Sequence, residues 1–348
     1  MYYYYKVFGF VLRCEHEIRQ LLLVETDGEY DLDIVFAQIP ETVLVEIEDK
    51  ENAPYCKWNG DYMWFRNSFA YFVVYRSGKM VIQNNSDSEI LFLLQFVLGY
   101  GISVFAHLKE MVALHCGAVS INGKAVAITG ASGAGKSTVT TELLADGAKM
   151  LSDDVIAVGY LQEEEGQAYA FPAFPQQKLC RDAALQRGYS LEDLIYIDPE
   201  KDKFAVDRRE IFESNPQRFH SLFMLQWYDN ENESYKALNN QVQCKKIEGF
   251  QKVSVIVNSL FLGMMLDAMG LPAEQFQLCV DLASDVNIYL IQRPKGVDTM
   301  EQVKQIIYQM IGEYVEYEKR FLCNSGSCGE KNNARYTGVK QFFFARVI

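Results

Sequence analysis

The sequence predicts an α/β protein that begins with a small β-rich domain. Two features of the chain indicate this division. About the first 85 residues contain runs rich in β-branched and aromatic residues, separated by acidic or glycine-containing turns. After them, helical patterns alternate with short apolar strands, and a glycine-rich loop stands between one strand and one helix. We therefore expect a β-rich domain at 1–85, an α/β domain at 86–322 and a polar tail at 323–348.

Four runs in the front domain are predicted to form strands. They are residues 6–13, 32–38, 62–75 and 79–83. Asn59-Gly60, just before the third run, is a hairpin signal, because both residue types tolerate positive φ.

A helix is predicted over 88–111, with a break at Gly99 or Gly101. Residues 90–106 carry no charge and are mostly apolar. This stretch is shorter than the ~20 residues of a membrane-spanning helix, and polar residues and glycines interrupt it. We therefore expect a buried core helix.

The remaining elements alternate in type. Two strands, 114–121 and 124–129, are joined by the hairpin signal Asn122-Gly123. A helix follows over 136–145, and a strand over 150–152 leads to two aspartates. The further predicted strands and helices are 222–227, 287–291, 250–265 and 299–313.

Charge and cysteine usage limit the class of protein. The 348-residue chain has a formal net charge of -13, which disfavours a nucleic-acid partner because an acidic surface repels phosphate backbones. Its eight cysteines are scattered, as expected for thiols in a reducing compartment. No secretory leader pattern is visible at the start. We expect a cytoplasmic protein without a membrane partner; whether it forms a homo-oligomer is left open.

The glycine-rich loop has the spacing Gly-x-x-x-x-Gly-Lys-Ser, the Walker A pattern of P-loop proteins. Glycines let backbone N–H groups approach phosphate oxygens, and the N-terminus of the next helix attracts the same anion. The lysine reaches the β- and γ-phosphates, and the serine coordinates Mg²⁺. The predicted nucleotide-binding residues are Gly130, Ala131, Ser132, Gly133, Ala134, Gly135, Lys136, Ser137 and Thr138.

Three further side chains are candidates for catalysis. Asp153 and Asp154 follow a predicted strand whose end can lie beside the loop. One carboxylate can hold Mg²⁺ and the other can accept a proton from an attacking hydroxyl, although a pair of surface turn aspartates fits the sequence equally well. His115 stands at the start of the hairpin that feeds the loop, where a lone histidine is more often structural.

His115-Cys-Gly-Ala-Val, the loop and Ser152-Asp153-Asp154 together resemble the catalytic core of the bacterial HPr kinase/phosphorylase family over residues 115–158. HPr is a histidine-containing phosphocarrier protein. The family's fold is related to ATP-dependent phosphoenolpyruvate carboxykinase. The resemblance implies a P-loop nucleotide-binding domain that uses ATP and Mg²⁺.

The resemblance also implies roles for individual residues. Asp154 would be the general base, and Asp153 would bind Mg²⁺ together with Ser137. His115 would orient or tune the acidic pair, with Lys136 on the phosphates. The runs 174–179 and 202–203 resemble relatives that carry a front β domain, and Lys203 within the second is a weaker candidate for countering phosphoryl charge.

Three functions fit these residues. The first is a kinase that transfers the γ-phosphoryl group of ATP to a hydroxyl, serine first among them, of a peptide, protein or small molecule. The second is a non-catalytic nucleotide sensor, because Ala131 and Thr138 depart from the family pattern. The third is a small-molecule kinase with a convergent loop. Segments typical of transporter ATPases and GTPases are absent from the sequence, as is the family's carboxy-terminal signature for engaging HPr.

Overall fold

The computed structural model describes residues 1–48, 55–86, 88–161, 164, 166–198, 202–229 and 241–313. These residues contain both helices and several β-sheets, so the chain is a mixed α/β protein. Met1–Glu313 form one compact unit. The predicted boundary at residue 85 stays a prediction. The predicted tail, 323–348, lies outside the described residues.

The first sheet comes from the β-rich front region. Its strands, with one helix between the third and fourth, are β1 (Tyr3–Val7), β2 (Phe10–Cys14), β3 (Leu32–Phe36), α1 (Glu41–Glu48), β4 (Cys56–Trp58), β5 (Tyr62–Arg66), β6 (Ala70–Tyr75) and β7 (Lys79–Asn84). Their order across the sheet is β1-β2-β3-β7-β6-β5-β4, with parallel pairs on either side of β3.

Two predicted strands of this region are hairpins. The run 6–13 turns at Phe8 and Gly9, whose φ values are 54° and 83°, so β1 and β2 pair antiparallel. The run 62–75 turns after β5, where the Asn67 side-chain oxygen accepts two backbone N–H bonds. Alternation of apolar residues does not reveal such tight turns. The hairpin predicted at Asn59-Gly60 is confirmed by the antiparallel pairing of β4 and β5.

One long apolar helical segment follows. It consists of α2 (Ile90–Phe96), a π-helical turn (Val97–Gly101) and α3 (Ile102–Leu108). Gly101 packs against the Met80 side chain, where an added Cβ would lie 2.8 Å from the Met80 methyl carbon. The sequence predicted a break at Gly99 or Gly101. Both glycines instead lie in the π-helical turn, and the helical segment continues through them. Among the described helices, this segment is long and apolar enough to cross a membrane, and 61% of it is buried inside the structure, as in a core helix.

The remaining elements alternate between strands and helices. They are β8 (Val112–His115), β9 (Gly117–Ile121), β10 (Lys124–Gly130), α4 (Lys136–Ala145), β11 (Lys149–Ser152), β12 (Val155–Tyr160), β13 (Ala168–Phe171), β14 (Gln176–Cys180), α5 (Arg181–Gln186), β15 (Ile195–Asp198), β16 (Lys203–Asp207), β17 (Gln217–Tyr228), β18 (Gln243–Ile247), α6 (Phe250–Asn258), α7 (Gly263–Met269), α8 (Ala273–Asp285), β19 (Asn287–Pro294) and α9 (Met300–Met310). Single 3-10 turns occur at Leu191–Asp193 and Arg209–Ile211.

The second sheet carries the glycine-rich loop. Its order is β11-β9-β10-β17-β13-β12-β8, and β19 pairs with β17 on one side and with β18 on the other. Strands β10, β17 and β19 run parallel, so their carboxyl ends lie at one edge of the sheet. Ligands of open α/β sheets bind outside this edge. A smaller third sheet has the order β14-β16-β15.

Two predicted elements are interrupted. The run 114–121 is split into β8 and β9 at Cys116. The helix predicted over 250–265 ends at Asn258, and α7 begins at Gly263. The residues between these helices pair with β8, since the His115 N–H donates to Ser259 O at 2.7 Å and the Phe261 N–H donates to Ala113 O at 2.9 Å. These tertiary hydrogen bonds replace the helical ones that the periodicity predicts.

The largest hydrophobic core joins the two sheets through the apolar helix. It includes Phe72 of the first sheet, Phe105 of α3 and Leu114 of β8, all fully buried. Phe10 of β2 also packs edge-on against Phe105, with ring centroids 5.0 Å apart. Burial of each such side chain stabilises the fold by roughly 1.5–3 kcal/mol. The front sheet is thus packed against the layer that positions the polar site.

Candidate functional site

The glycine-rich loop connects β10 to α4 through backbone conformations that only glycine adopts easily. Gly130 has φ 139°, and a Cβ there would lie 2.5 Å from Leu225 O on the neighbouring strand. Gly135 has φ 94° and precedes α4 without a side-chain cap. The first backbone N–H groups of α4 have no helical acceptors, so this end of the helix favours an anion.

Lys136 begins α4 and turns back over the loop. Its Nζ donates to Gly130 O at 2.8 Å and lies 3.4 Å from Ala131 O. Burial lowers the pKa of this lysine, while the negative charge of Asp154 acts to raise it. Lys136 is therefore electrostatically coupled to Asp154.

Two residues near the ends of strands, Trp227 and Arg293, donate hydrogen bonds to the loop. The sequence analysis identified neither of them. Trp227 of β17 donates its indole N–H to Gly133 O at 2.9 Å. Arg293 of β19 donates from Nη2 to Ala134 O at 2.6 Å, and its guanidinium lies 3.8 Å from the centroid of the Trp227 ring. A Cβ on Gly135 would come within 2.0 Å of Nη2. The available signal was their position, since Trp227 ends the predicted strand 222–227 and Arg293 follows the predicted strand 287–291 by two residues.

Sheet connections bring His115 to Asp154. Cys116 alone separates β8 from β9, and the two aspartates separate β11 from β12. Strand β8 pairs with β12, so that His115 lies opposite Val155, and the Cys116 N–H donates to Asp154 O at 3.1 Å. Both short connections therefore run side by side.

The Asp154 carboxylate is held by two basic side chains. Its Oδ1 lies 3.3 Å from His115 Nε2, and its Oδ2 accepts a hydrogen bond from Lys178 Nζ at 3.0 Å. Partial burial acts to raise the pKa of Asp154, but the His115 and Lys178 contacts outweigh it and hold the pKa below its ordinary value. The carboxylate is thus ionised at neutral pH. About 41% of its side chain and 49% of the His115 side chain remain exposed, so both side chains are accessible from solvent.

Asp153 has a different environment. Its Oδ2 accepts the backbone N–H of Lys178 at 2.9 Å, whereas Oδ1 is buried and has no hydrogen-bond partner among the described residues. Burial raises the pKa of Asp153 to about 6, and the charge of Asp154 adds to this. Both aspartates border a small cavity of ≈ 40 Å³ that Gln95 also lines. Asp153 therefore carries an unsatisfied oxygen that suits a cation or a hydrogen-bond donor.

Two lysines complete the charge distribution. Lys178 binds both aspartates; it belongs to a run that the sequence singled out, but no role had been assigned to it. Lys203 begins β16, and its charge acts to lower the pKa of both Lys136 and Asp153, although burial raises that of Asp153 overall. The weaker sequence candidate thus belongs to the same cluster.

The cluster offers oxygen atoms of the kind that Mg²⁺ prefers. Ser137 lies in the first turn of α4, and Asp153 carries the unpartnered Oδ1. In the described part of the chain, no three His, Cys, Asp or Glu side chains are grouped to hold a metal by themselves. Magnesium commonly uses one or two carboxylates and takes its remaining ligands from water and substrate phosphates. The residues present fit that mode of binding.

Fold and site define a mixed α/β protein with a polar cluster beside a glycine-rich loop. No protein-family model matches the chain, and no curated protein matches its sequence. Among solved structures, it is similar to the HPr(Ser) kinase/phosphatase from Coxiella burnetii, with a TM-score of 0.28 and 16% identity. The match covers 57% of this chain and 94% of that chain. A similarity this weak carries no argument about activity.

Proposed function

We propose that this protein is a P-loop kinase that transfers the γ-phosphoryl group of ATP to a hydroxyl, with serine as the preferred acceptor group. One observation carries the proposal. The ionised carboxylate of Asp154 lies between His115 and Lys178 and interacts electrostatically with Lys136 of the glycine-rich loop. A base and a phosphate-binding cation are the two groups that hydroxyl phosphorylation needs together.

In this proposal the loop binds the triphosphate. Backbone N–H groups at 131–137 and the N-terminus of α4 donate to phosphate oxygens. Lys136 exchanges its contact with Gly130 O for the β- and γ-phosphates. Trp227 and Arg293 keep the carbonyls of Gly133 and Ala134 turned away from the anion. An open cleft of ≈ 420 Å³ beside Thr138 offers space for the nucleoside.

Ser137 and Asp153 would hold the magnesium ion with the phosphates. When bound, Mg²⁺ neutralises charge on the transferred group. Its binding also gives the buried Asp153 carboxylate a counter-charge that the described residues supply only in part.

The acceptor hydroxyl approaches the exposed side of Asp154. The hydroxyl proton passes to Asp154, the acceptor oxygen bonds to the γ-phosphorus, and the bond from that phosphorus to the bridging oxygen breaks, so ADP leaves. Lys178 and His115 hold the carboxylate in place and keep it ionised beforehand.

The six described cysteines are free thiols, in keeping with the proposed cytoplasmic setting.

Two variants test this function. Lys136→Ala is expected to weaken ATP–Mg²⁺ binding about 10- to 100-fold by calorimetry, since a charge-assisted hydrogen bond contributes roughly 1.5–3 kcal/mol. Lys149→Ala, an exposed lysine on β11, is the matched control. Unchanged affinity in Lys136→Ala would refute the phosphate site.

Asp154→Asn is expected to reduce phosphoryl transfer from labelled ATP by roughly 10²–10⁴ while retaining nucleotide binding. A wild-type chain that binds ATP–Mg²⁺ tightly and transfers nothing in the presence of serine peptides or small alcohols would favour the nucleotide-sensor alternative.

A further inference from the structure

A second cavity lies between the first sheet and the loop that follows α6. Its volume is ≈ 250 Å³. Apolar and aromatic side chains form most of its wall, and we call it the ring cavity: Phe65, Phe96, Tyr100, Phe261, Leu262 and Met265. The front sheet supplies one side of it, and the helical segment, the 259–262 connection and α7 supply the others.

One aromatic ring, that of Phe261, lies between the ring cavity and His115, the side chain that contacts Asp154. Phe261 packs edge-on against His115, with ring centroids 5.9 Å apart, and on Tyr100 at 5.5 Å. The Phe261 N–H donates to Ala113 O on β8, the strand that ends in His115. The interruption of the helix at 259–262 therefore places the apolar Phe261 ring directly beside His115, the partner of the Asp154 carboxylate.

One polar atom at the cavity lacks a partner. Asn67 also lines the cavity, and its Oδ1 accepts the N–H groups of Phe69 and Ala70, both at 2.9 Å. These two bonds fix the orientation of the amide. Its Nδ2 is buried and has no hydrogen-bond partner among the residues described. Because this nitrogen has almost no accessible surface, Asn67 contributes to the wall of the cavity and offers no direct contact to a ligand.

We propose that the ring cavity binds an apolar ring carried by the phosphoryl acceptor, close to the hydroxyl that is modified. The volume is below the roughly 300–1,000 Å³ of pockets for drug-sized ligands, so it fits one ring-sized group. The ring packs among the aromatic walls. The role as acceptor site rests on the proposed kinase function, whereas ring binding itself does not.

Binding is measured on the full chain without nucleotide, by ligand-observed NMR titration. The probes are 2-phenylethanol against 1-propanol, and N-acetyl-Phe-Ser-amide against N-acetyl-Gly-Ser-amide. We expect each ring-bearing probe to bind at least about tenfold more tightly than its ringless counterpart. The pair that shows the larger ratio indicates whether the acceptor is a free small molecule or a peptide residue.

Met265→Phe fills the cavity and Tyr100→Ala removes part of its wall, so both are expected to lower affinity for the ring-bearing probes about tenfold. Met310→Phe, a partly buried methionine of α9, is the control and keeps the wild-type affinity. Circular dichroism checks that each variant is folded. If Met265→Phe does not fold, the affinity of Tyr100→Ala decides the test. Equal binding of ring-bearing and ringless probes, or wild-type affinity in the folded variants, would overturn the ring cavity. Ring binding without any phosphoryl transfer would instead count against the kinase function alone.

Discussion

Replacing Asp153 with asparagine is expected to raise the stability of the metal-free protein relative to wild type as the pH rises towards neutrality. In the folded chain, burial raises the pKa of Asp153 from 3.8 to about 6. The folded state therefore binds a proton that the unfolded state releases between these two values. The contribution of the protonated carboxyl to stability is fully present below about pH 4 and is lost as the pH rises through about 6. An amide at this position does not titrate.

The size of the effect follows from the pKa difference. The rise of the pKa from 3.8 to about 6 corresponds to roughly 3 kcal/mol at most, because a tenfold change in an equilibrium constant is about 1.4 kcal/mol. The asparagine oxygen can still accept the Lys178 N–H, as Asp153 Oδ2 does at 2.9 Å. The amide nitrogen then takes the buried position of Oδ1, which costs a roughly constant 1–3 kcal/mol at every pH. Only the pH-dependent part of the difference thus reports the titration.

Urea unfolding of both chains in EDTA, at about pH 4.5 and about pH 7.5, measures that part. The stability of Asp153→Asn relative to wild type is expected to increase by about 2 kcal/mol between these conditions. Asp281→Asn, an exposed carboxylate on α8, is the control variant. If the difference in free energy of unfolding between wild type and Asp153→Asn does not change with pH, burial does not raise the pKa of this carboxyl.

Two further predictions concern Trp227, which contacts the glycine-rich loop, and Gly117, which packs against α4. Trp227→Phe removes the N–H bond to Gly133 O, so we expect ATP–Mg²⁺ affinity to fall about two- to tenfold by calorimetry, with Trp58→Phe as the control; equal losses in both variants would contradict the contact. Gly117→Ala places a Cβ 2.4 Å from the Thr140 hydroxyl, so urea unfolding should show a loss of about 1–3 kcal/mol. Adding Thr140→Ala should recover part of that loss, and no recovery would refute the steric explanation.

Local sequence signals predicted the elements that local physics controls. The hairpin at Asn122-Gly123 is confirmed, with positive φ at both residues and antiparallel pairing of β9 with β10. The strand and helix on either side of the glycine-rich loop are also where the pattern predicted them. The interruption of the helix at 259–262 could not be predicted, because its cause is pairing with a strand far away in sequence.

The sequence alone determined the loop and nominated His115 and the two aspartates, because glycine spacing and charged residue types are properties of the chain itself. Only the tertiary structure decided that the two carboxyl groups differ in their pKa, because burial raises the pKa of Asp153 to about 6 while the contacts with His115 and Lys178 hold that of Asp154 below its ordinary value. It also decided that Trp227 and Arg293 hold the loop. These contacts join residues far apart along the chain, and their strength depends on burial and distance, which exist only once the sheets have assembled.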